Sequence, residues 1–487
     1  MSPVNQYINI DSPTSRYALR ARLAAIDSEI EELHARIKDL ETARKPVANA
    51  LGAIVYPILT LPVEITSEIF AHYFNEVLFE VDGLALCHLH TARDESDGPL
   101  ILSQVCRAWR TIAINTPSLW CRVRAAAYNS PRPEWRELFE CWLSRAGNRM
   151  LYLDLAGDSR HSTTLLPAVV PYSSQWRVFK FRMVYHDWAT ISNLVETARG
   201  RIPNLREFSV RWQGPNDHPT KTPITAFSDA PKLRKVALYW LSSEKIVLPW
   251  AQLTSLTLSG HRVADGITIL HLTSSLEELS IDLFGPASGE IQPVVLDRVH
   301  KLLLPNVFEC LTSFPYLTLP GLRTFEISRM LTEEDVEALT MFLERSPCLD
   351  SVSITCEKPD LVISALASIG NAGEITLPTP DWSFTDLKRL FVRIASDHTF
   401  LPNMRSLQLP LCTSGIPYEE LLDILLSRSS TRGGLLKLES FRLIQWADRS
   451  GPDPAIADKL RALMDEGLDI HIEGFDEMGN TEKISLL

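Results

Sequence analysis

The residues of this sequence best suited to chemistry are a cysteine and two histidines that lie close together. Cys87, His88 and His90 are of the types that bind zinc, but no second pair follows at the spacing that a metal site needs. We therefore interpret this stretch as a polar loop, and we predict no metal and no cofactor. His161 and His186 are further titratable candidates, and neither has a recognisable triad partner in the sequence.

Motifs of the common enzyme classes are also missing from the sequence. It contains no glycine-rich phosphate loop, no dinucleotide-binding fingerprint and no nucleophile elbow of the form G-x-S-x-G. The acidic pair Glu333-Glu334 is typical of a helix N-terminus, where carboxylates complement the helix dipole and Thr332 can act as the cap. A further helix is predicted over residues 418–426. We predict that the chain is not an enzyme and that its function lies in binding.

The composition is that of a large globular protein. The chain has 487 residues, of which 45% are apolar, enough to bury a large core. The net charge of −12 argues against nucleic acid or an anionic membrane as a partner, because both need a basic surface. The longest apolar stretch, residues 53–63, is too short to span a bilayer. The eight cysteines are scattered, which favours free thiols in a reducing compartment, the cytoplasm or the nucleus.

A heptad pattern predicts an amphipathic, coiled-coil type of helix over residues 15–46, after a disordered N-terminus at 1–14. Apolar residues recur in alternating steps of four and three, Ser15 can cap the start, and Pro46 can end the helix. Two interpretations of this seam stay open: a short parallel homodimer through residues 19–40, or a helix packed back on its own chain. The seam residues are Leu19, Leu23, Ile26, Ile30, Leu33, Ile37 and Leu40.

A short amphipathic helix is predicted to begin near Pro62. Proline suits a first helical turn, where its missing N–H has no intrahelical partner, and Glu64 in that turn complements the helix dipole. Ile65, Ile69 and Phe70 follow at spacings that place them on one apolar face.

A second run of apolar residues, at i, i+3, i+4 and i+7, predicts another helical stripe. The two runs are separated by residues 78–100, which we interpret as an inserted surface loop. Small helices of this kind leave apolar surface uncovered, so they serve either as a docking site or as a cap on the next domain. The apolar positions of the second run are Leu102, Val105, Cys106 and Trp109.

Residues 55–125 resemble an F-box, in the form common in mushroom-forming fungi. The resemblance rests on Leu-Pro-x-Glu-Ile at 61–65, Val-Cys-Arg-x-Trp-Arg at 105–110 and Pro-x-Leu-Trp at 117–120. It implies the Skp adaptor as partner and, through that adaptor, a cullin-RING ubiquitin ligase. The inserted loop is longer than in a compact F-box and leaves the start of the second helix open. The adaptor contacts that the resemblance implies are Leu61, Pro62, Ile65, Ile69, Val105, Cys106 and Trp109.

From about residue 145 to 487 the chain repeats the phrase L-x-x-L-x-L. Twelve copies start at residues 150, 176, 205, 233, 253, 276, 299, 322, 349, 372, 404 and 438. The alternation at the end of each copy predicts a short strand, and neighbouring units must stack to bury their apolar faces. The expected fold is therefore α/β, an irregular leucine-rich-repeat solenoid in the form of a horseshoe. The alternative is an unrelated α/β domain whose strands share a pattern.

In such a horseshoe, the residue after each inward strand position faces the concave side, where solenoids bind extended partners. Trp212 and Trp240 each follow one of these concave-face positions in the sequence. Because successive strand residues point to opposite faces, both are predicted to be core residues. The residues predicted to face an unknown protein target are Arg211, Tyr239, Asp282 and Ile444.

With the resemblance, the expected function is that of a substrate-recognition adaptor of a Skp–cullin–F-box ubiquitin ligase. The alternative is a non-catalytic scaffold for protein interactions, in which the F-box helices only cap the solenoid.

Overall fold

The computed structural model describes most of the chain. Cys87, His88 and His90, which we interpret as part of a polar loop, lie outside the described residues, as do His161, His186, residues 1–12 and residues 78–97 of the predicted loop. The described residues are 13–52, 57–77, 98–127, 134–158, 166–184, 188–213, 222–286, 290–305, 310–328, 332–356, 358–369, 372–378, 382–412, 415–429, 436–446, 452–475 and 484–485.

Helices and strands alternate over most of the described residues, which confirms the α/β class. The α-helices of two or more turns are α1 (Pro13–Gly52), α2 (Val63–Val77), α3 (Gly98–Val105), α4 (Arg107–Ile114), α5 (Glu134–Ala146), α6 (Trp188–Glu196), α7 (Val263–His271), α8 (Glu333–Leu343), α9 (Pro359–Ala367), α10 (Phe384–Ser396), α11 (Tyr418–Ser427) and α12 (Pro454–Asp465). The strands are β1 (Arg122–Ala127), β2 (Leu151–Asp158), β3 (Trp176–Val184), β4 (Glu207–Gln213), β5 (Lys235–Tyr239), β6 (Ser255–Arg262), β7 (Glu278–Phe284), β8 (Val294–Val295), β9 (Lys301–Leu304), β10 (Leu317–Thr318), β11 (Thr324–Ser328), β12 (Ser351–Thr355), β13 (Glu374–Thr376), β14 (Ser406–Cys412), β15 (Ser440–Trp446), β16 (Asp469–Phe475) and β17 (Ile484–Ser485).

The chain divides into two compact units, the first built from the described helices that precede Asn115. Its α1 is 40 residues long, and Pro46 lies inside it, so the predicted end at 46 is wrong. An interior proline removes one backbone hydrogen bond at a cost of about 3 kcal/mol. The residues beyond it, which include Ala48, Ala50 and Leu51, are good helix formers and continue the helix.

The single helical stripe predicted across residues 102–109 is broken in the structure at Cys106. Helix α3 ends one residue before Cys106 and α4 begins one residue after it. The Cys106 Sγ accepts the backbone N–H of Trp109 at 3.4 Å, and its carbonyl accepts that of Arg110 at 2.9 Å. Arg110 Nε also donates to the carbonyl of Ser103 at 2.7 Å. Cys106 therefore occupies the N-cap position of α4, where a side chain can accept a backbone N–H of the first turn.

The second unit runs from Asn115 onward and contains one large, mostly parallel sheet. Its fifteen strands follow the order of the chain, with β7 next to β9 and β9 next to β11, while β8 and β10 pair separately. Every described pair in the large sheet is parallel except β16 with β17. Helices α5 to α12 lie on the connections between successive strands, as parallel pairing requires.

Two continuous apolar rows cross this sheet, because the same alternation recurs in every strand. The register joins Leu153 to Phe179 and Phe208, and two residues further on it joins Leu155 to Phe181 and so to the next strand. The second apolar position of each of the twelve sequence copies lies on a strand of this sheet. These residues are buried, so one face of the sheet forms the core of the unit.

The predicted helix start at Thr332 is confirmed. Thr332 and Asp335 form a reciprocal capping box at the N-terminus of α8, with bonds of 3.2 and 2.8 Å. Ser383 and Asp386 repeat the arrangement at α10. The helix predicted over residues 418–426 is present as α11.

The boundary of the small helical unit falls earlier than predicted. The division lies at Ile114, so the Pro-x-Leu-Trp segment and β1 belong to the second unit instead of to the predicted module at 55–125. Trp120 is buried there, with its ring edge-on to Trp142 of α5 at 4.8 Å. The Arg145 guanidinium packs over the same indole at 4.5 Å. Tight aromatic packing thus ties this segment to the sheet unit.

Candidate functional site

The first candidate site is an apolar patch on α2 and the residue pair before it, formed by Leu61, Pro62, Ile65 and Ile69. All four side chains are exposed, and Leu61, Ile69 and Ile65 are 38%, 45% and 49% exposed. The helix begins at Pro62, whose carbonyl accepts the Thr66 N–H at 3.0 Å. Large apolar side chains grouped on one helix face are unusual on a surface and are typical of a protein-binding site.

The opposite side of α2 packs inside the small unit. Phe70 is 2% exposed and meets the Trp109 ring edge to face, with centroids 4.9 Å apart. Phe70 was predicted to share one face with Ile65 and Ile69, and this prediction is wrong. Each residue turns the helix by about 100°, so Phe70 points inward while Ile69 points out. The helix therefore has separate internal and external apolar faces.

The other predicted adaptor contacts divide in the same way. Val105, at the end of α3, is 58% exposed. Cys106 and Trp109 are half-buried and make the capping and aromatic contacts described above. The Trp109 Nε1 is buried and has no hydrogen-bond partner among the described residues. Trp109 thus holds α2 and α4 together within the unit.

The second candidate site is a row of side chains across strands β4 to β7 of the sheet unit. Register pairs Arg211 with Tyr239, Tyr239 with Ser259, and Ser259 with Asp282. The Arg211 guanidinium stacks over the Tyr239 ring at 4.4 Å, and both side chains are half-exposed. Three of the four residues predicted to face a target are therefore neighbours. The fourth, Ile444, lies on β15, across five intervening strands from β7.

Asp282 cannot contact a partner directly, because its side chain is buried with 1% exposure. Its Oδ2 accepts a hydrogen bond from the buried Ser259 hydroxyl at 3.0 Å. A buried carboxylate needs such hydrogen-bond partners. Strand alternation predicts which face of the sheet Asp282 points to, but it does not show whether neighbouring side chains cover it. Asp282 therefore belongs to the row as a buried member, hydrogen-bonded to its neighbour Ser259.

Trp240 was predicted to be a core residue together with Trp212. Trp212 is buried, but Trp240 is half-exposed with a φ of 61°. Its indole lies directly over Gly260, where an added Cβ would sit 2.3 Å from the ring, and it neighbours the Phe284 ring at 5.9 Å. The left-handed backbone of Trp240 breaks the alternation on which the prediction depends. An isolated glycine in a strand pattern, here Gly260, was the available signal of a bulge.

Charged residues beside this row are neutralised by their neighbours. Arg182 pairs with Asp154 at 3.0 Å, and Lys180 pairs with Glu207 at 3.1 Å. Their partial exposure makes these pairs weak contributors to stability. Arg211 and Tyr239 of the row, together with the adjacent Trp240, are of the residue types that dominate protein interfaces.

Buried His261 lies one residue beyond Gly260. Its Nε2 is 2.7 Å from the carbonyl of Leu241. Burial lowers the pKa of His261 below its ordinary value of 6.5, and the Leu241 carbonyl opposes part of this effect.

Within the part of the chain that the structure describes, no three His, Cys, Asp or Glu side chains are grouped as they would be around a metal ion. No described helix is long and apolar enough to cross a membrane.

Comparison with known proteins gives little beyond this geometry. The sequence matches no protein-family model and no curated protein. A crystal structure of a protein from Bacteroides fragilis is similar over 67% of this chain and 75% of that chain, with 11% sequence identity and a TM-score of 0.26. A similarity this low carries no argument about fold or function.

Proposed function

We propose that this protein is a substrate-recognition adaptor of a Skp–cullin–F-box ubiquitin ligase. Helices α2 to α4 would form the F-box, and the sheet unit would form an irregular leucine-rich-repeat solenoid that binds a target protein. The observation that carries the proposal is the apolar patch. The residues at which the F-box resemblance implies adaptor contacts include Leu61, Ile65 and Ile69, and these side chains face solvent in the single chain.

Hydrophobic burial supplies the driving force for docking. Burying a fully exposed isoleucine contributes about 1.5–3 kcal/mol, and Leu61, Ile65 and Ile69, which begin 38–49% exposed, contribute a corresponding fraction of that value each. Several such side chains together supply the central contacts of a stable interface. The helices keep their own internal contact, between Phe70 and Trp109, so the patch is free for a partner.

The sheet unit supplies the second binding surface. In the proposed solenoid, Arg211, Tyr239 and Trp240 lie where an extended target would bind. The catalytic step belongs to the ligase; this chain acts by tethering, which raises the effective concentration of the target near the ubiquitin-transfer machinery. Such a ligase works in the cytoplasm or the nucleus, the location that the scattered cysteines favour.

Affinity purification of the tagged full-length chain tests this proposal. The double substitution Ile65→Asp/Ile69→Asp places two charges in the patch, and we expect the Skp adaptor to be lost while target proteins remain. The control is Met341→Asp/Val392→Asp, which alters two equally exposed apolar residues on α8 and α10. If the adaptor is retained by the patch variant, the F-box assignment is wrong and the scaffold alternative gains support.

The target surface is tested by a complementary variant. Arg211→Glu/Tyr239→Ala removes the stacked pair at 4.4 Å and should abolish target binding while adaptor binding persists. The control Lys235→Glu/Thr324→Ala changes exposed or half-exposed positions elsewhere on the sheet. Equal loss of targets in both variants would argue against a binding surface centred on Arg211.

A further inference from the structure

We propose that residues 19–40 of α1 pair with the same residues of a second copy of this chain, as a parallel, in-register, two-stranded coiled coil. The structure leaves the heptad seam uncovered: from Leu23 to Leu40 its side chains are 45–61% exposed. A helix packed back on its own chain would have buried these residues.

Two of the three heptads in the seam have the composition of a two-stranded coiled coil. With Leu19 as a d position, the steps of four and three place Ile30 and Ile37 at a positions and Leu33 and Leu40 at d positions, while the first heptad has Leu23 at a and Ile26 at d. β-Branched residues at a with leucine at d, as in the last two heptads, favour parallel dimers over larger assemblies. The seam spans about 33 Å of helix at 1.5 Å per residue.

Charges beside the seam are complementary between two copies of the chain. In a parallel pair, each g position faces the e position five residues later on the second copy. Arg22 then faces Asp27, and Arg36 faces Glu41. The remaining charged g position, Glu29, faces His34. Each attractive contact occurs twice by symmetry, and no like charges meet.

An antiparallel pair has favourable flanking charges as well. With Ile30 facing Leu33 of the second copy, the g positions bring Glu29 to Arg36 and the e positions bring Arg20 to Glu41. The parallel orientation is therefore assigned from isoleucine at a and leucine at d in the last two heptads, and a crosslink at residue 40 tests it.

The consequence for the molecule is bivalency. In a parallel pair both chains leave the coiled coil at the same end. If the proposed function holds, two target-binding surfaces are then linked, and the second binding event benefits from a raised effective concentration. The dimer itself does not depend on the proposed function, because only α1 takes part in the pairing.

Light scattering on the full-length protein over a concentration series tests the dimer. We expect a mass of twice 54.8 kDa. Arg22→Glu/Arg36→Glu should weaken self-association at least about tenfold, because four attractive contacts become repulsive. Asp27→Arg/Glu41→Arg should do the same, and an equimolar mixture of the two variants should restore the dimer. The control Lys38→Glu/Lys45→Glu makes the same charge change at outward b positions and should remain dimeric.

A cysteine crosslink tests the orientation independently. Leu40→Cys places a thiol at a d position near the C-terminal end of the seam, where only a parallel pair brings identical residues together within disulfide distance. We expect an interchain disulfide in Leu40→Cys that is absent from Lys38→Cys and from the unaltered chain. A monomer at every concentration overturns the proposal, as does a dimer that the charge reversals leave unchanged. A dimer that Leu40→Cys fails to crosslink overturns the parallel register.

Discussion

The rings of Phe70 and Trp109 meet edge to face with their centroids 4.9 Å apart, and this contact joins α2 to α4 in the small helical unit. Phe70 and Ile69 are adjacent in sequence, yet one is buried and the other is 45% exposed. The helix therefore separates the residues that hold the unit together from the residues available to a partner. This separation lets structural and binding roles be tested with different substitutions.

Trp109→Ala should destabilise the small unit by about 2 kcal/mol, below the 3–5 kcal/mol typical of a fully buried tryptophan, because Trp109 is only half-buried. Trp109→Phe keeps an aromatic ring against Phe70 and removes the unpartnered indole N–H, so it should cost less. Hydrogen exchange of α2 and α4 measures both effects. If both variants leave exchange unchanged but lose adaptor binding, Trp109 is a contact residue instead of an internal support.

Gly260→Ala should destabilise the sheet unit more than Gly200→Ala. Both glycines have φ near +70°, which strains any other residue by about 1–2 kcal/mol. Only at position 260 would the new Cβ also meet the Trp240 ring, at 2.3 Å, whereas nothing lies within 4 Å at position 200. Denaturant midpoints of the two variants measure the extra cost, which we expect to be about 1–3 kcal/mol. Equal midpoints would show that Trp240 moves aside without cost.

Stability should fall in acid partly because of His261. Burial lowers the pKa of this imidazole below 6.5 in the folded chain, so between the two pKa values the unfolded chain binds a proton that the folded chain does not. The stabilisation that neutral His261 provides is fully present above the pKa of histidine in the unfolded chain, about 6.5. It is lost as the pH falls from there toward the lower pKa of His261 in the folded chain. Asp265, which partly offsets the shift, remains in every variant.

His261→Gln isolates this contribution, because its amide can still donate to the Leu241 carbonyl. Melting temperatures measured from about pH 7.5 to about pH 5.5 should decline less in this variant than in the unaltered chain. Parallel declines would show that His261 contributes nothing to the acid sensitivity.

Arg428→Met should be strongly destabilising although it keeps an unbranched apolar chain in place of the arginine's aliphatic stem. The Arg428 guanidinium is fully buried and donates to the carbonyls of Leu401 and Phe400 at 2.8 and 2.9 Å. Its removal leaves these acceptors unsatisfied, at a cost of about 1–3 kcal/mol for each group. The control is Arg461→Met, which removes an exposed pair with Asp458 and should change stability by less than about 1 kcal/mol. Similar unfolding midpoints for both variants would contradict the structural role of Arg428.

The strands and their inward faces could be predicted from sequence because alternation directly encodes which side chains share a face. Val236 and Leu238 show this: both were assigned inward from spacing alone, and both are buried. Thr332 was assigned as a cap for an equally local reason, since its partner lies three residues away. Features set within one strand or one turn are therefore accessible to sequence analysis.

Features set by other parts of the fold were not accessible in this way. Trp240 departs from the strand alternation because its backbone has a left-handed φ of 61° and its ring lies over Gly260. Asp282 was assigned to the surface, but neighbouring side chains cover it. Pro46 was assigned as a helix end, although the residues after it sustain the helix. In each case tertiary packing or longer context overrides the local preference.

The affinity of the purified full-length chain for the purified Skp adaptor tests the central claim most directly. Calorimetric titration should give a one-to-one complex for the unaltered chain and for the Met341→Asp/Val392→Asp control. Ile65→Asp/Ile69→Asp should weaken binding at least about 100-fold, since two buried anchors are replaced by charges. Absence of binding by the unaltered chain, or equal affinity of the patch variant, would contradict the account.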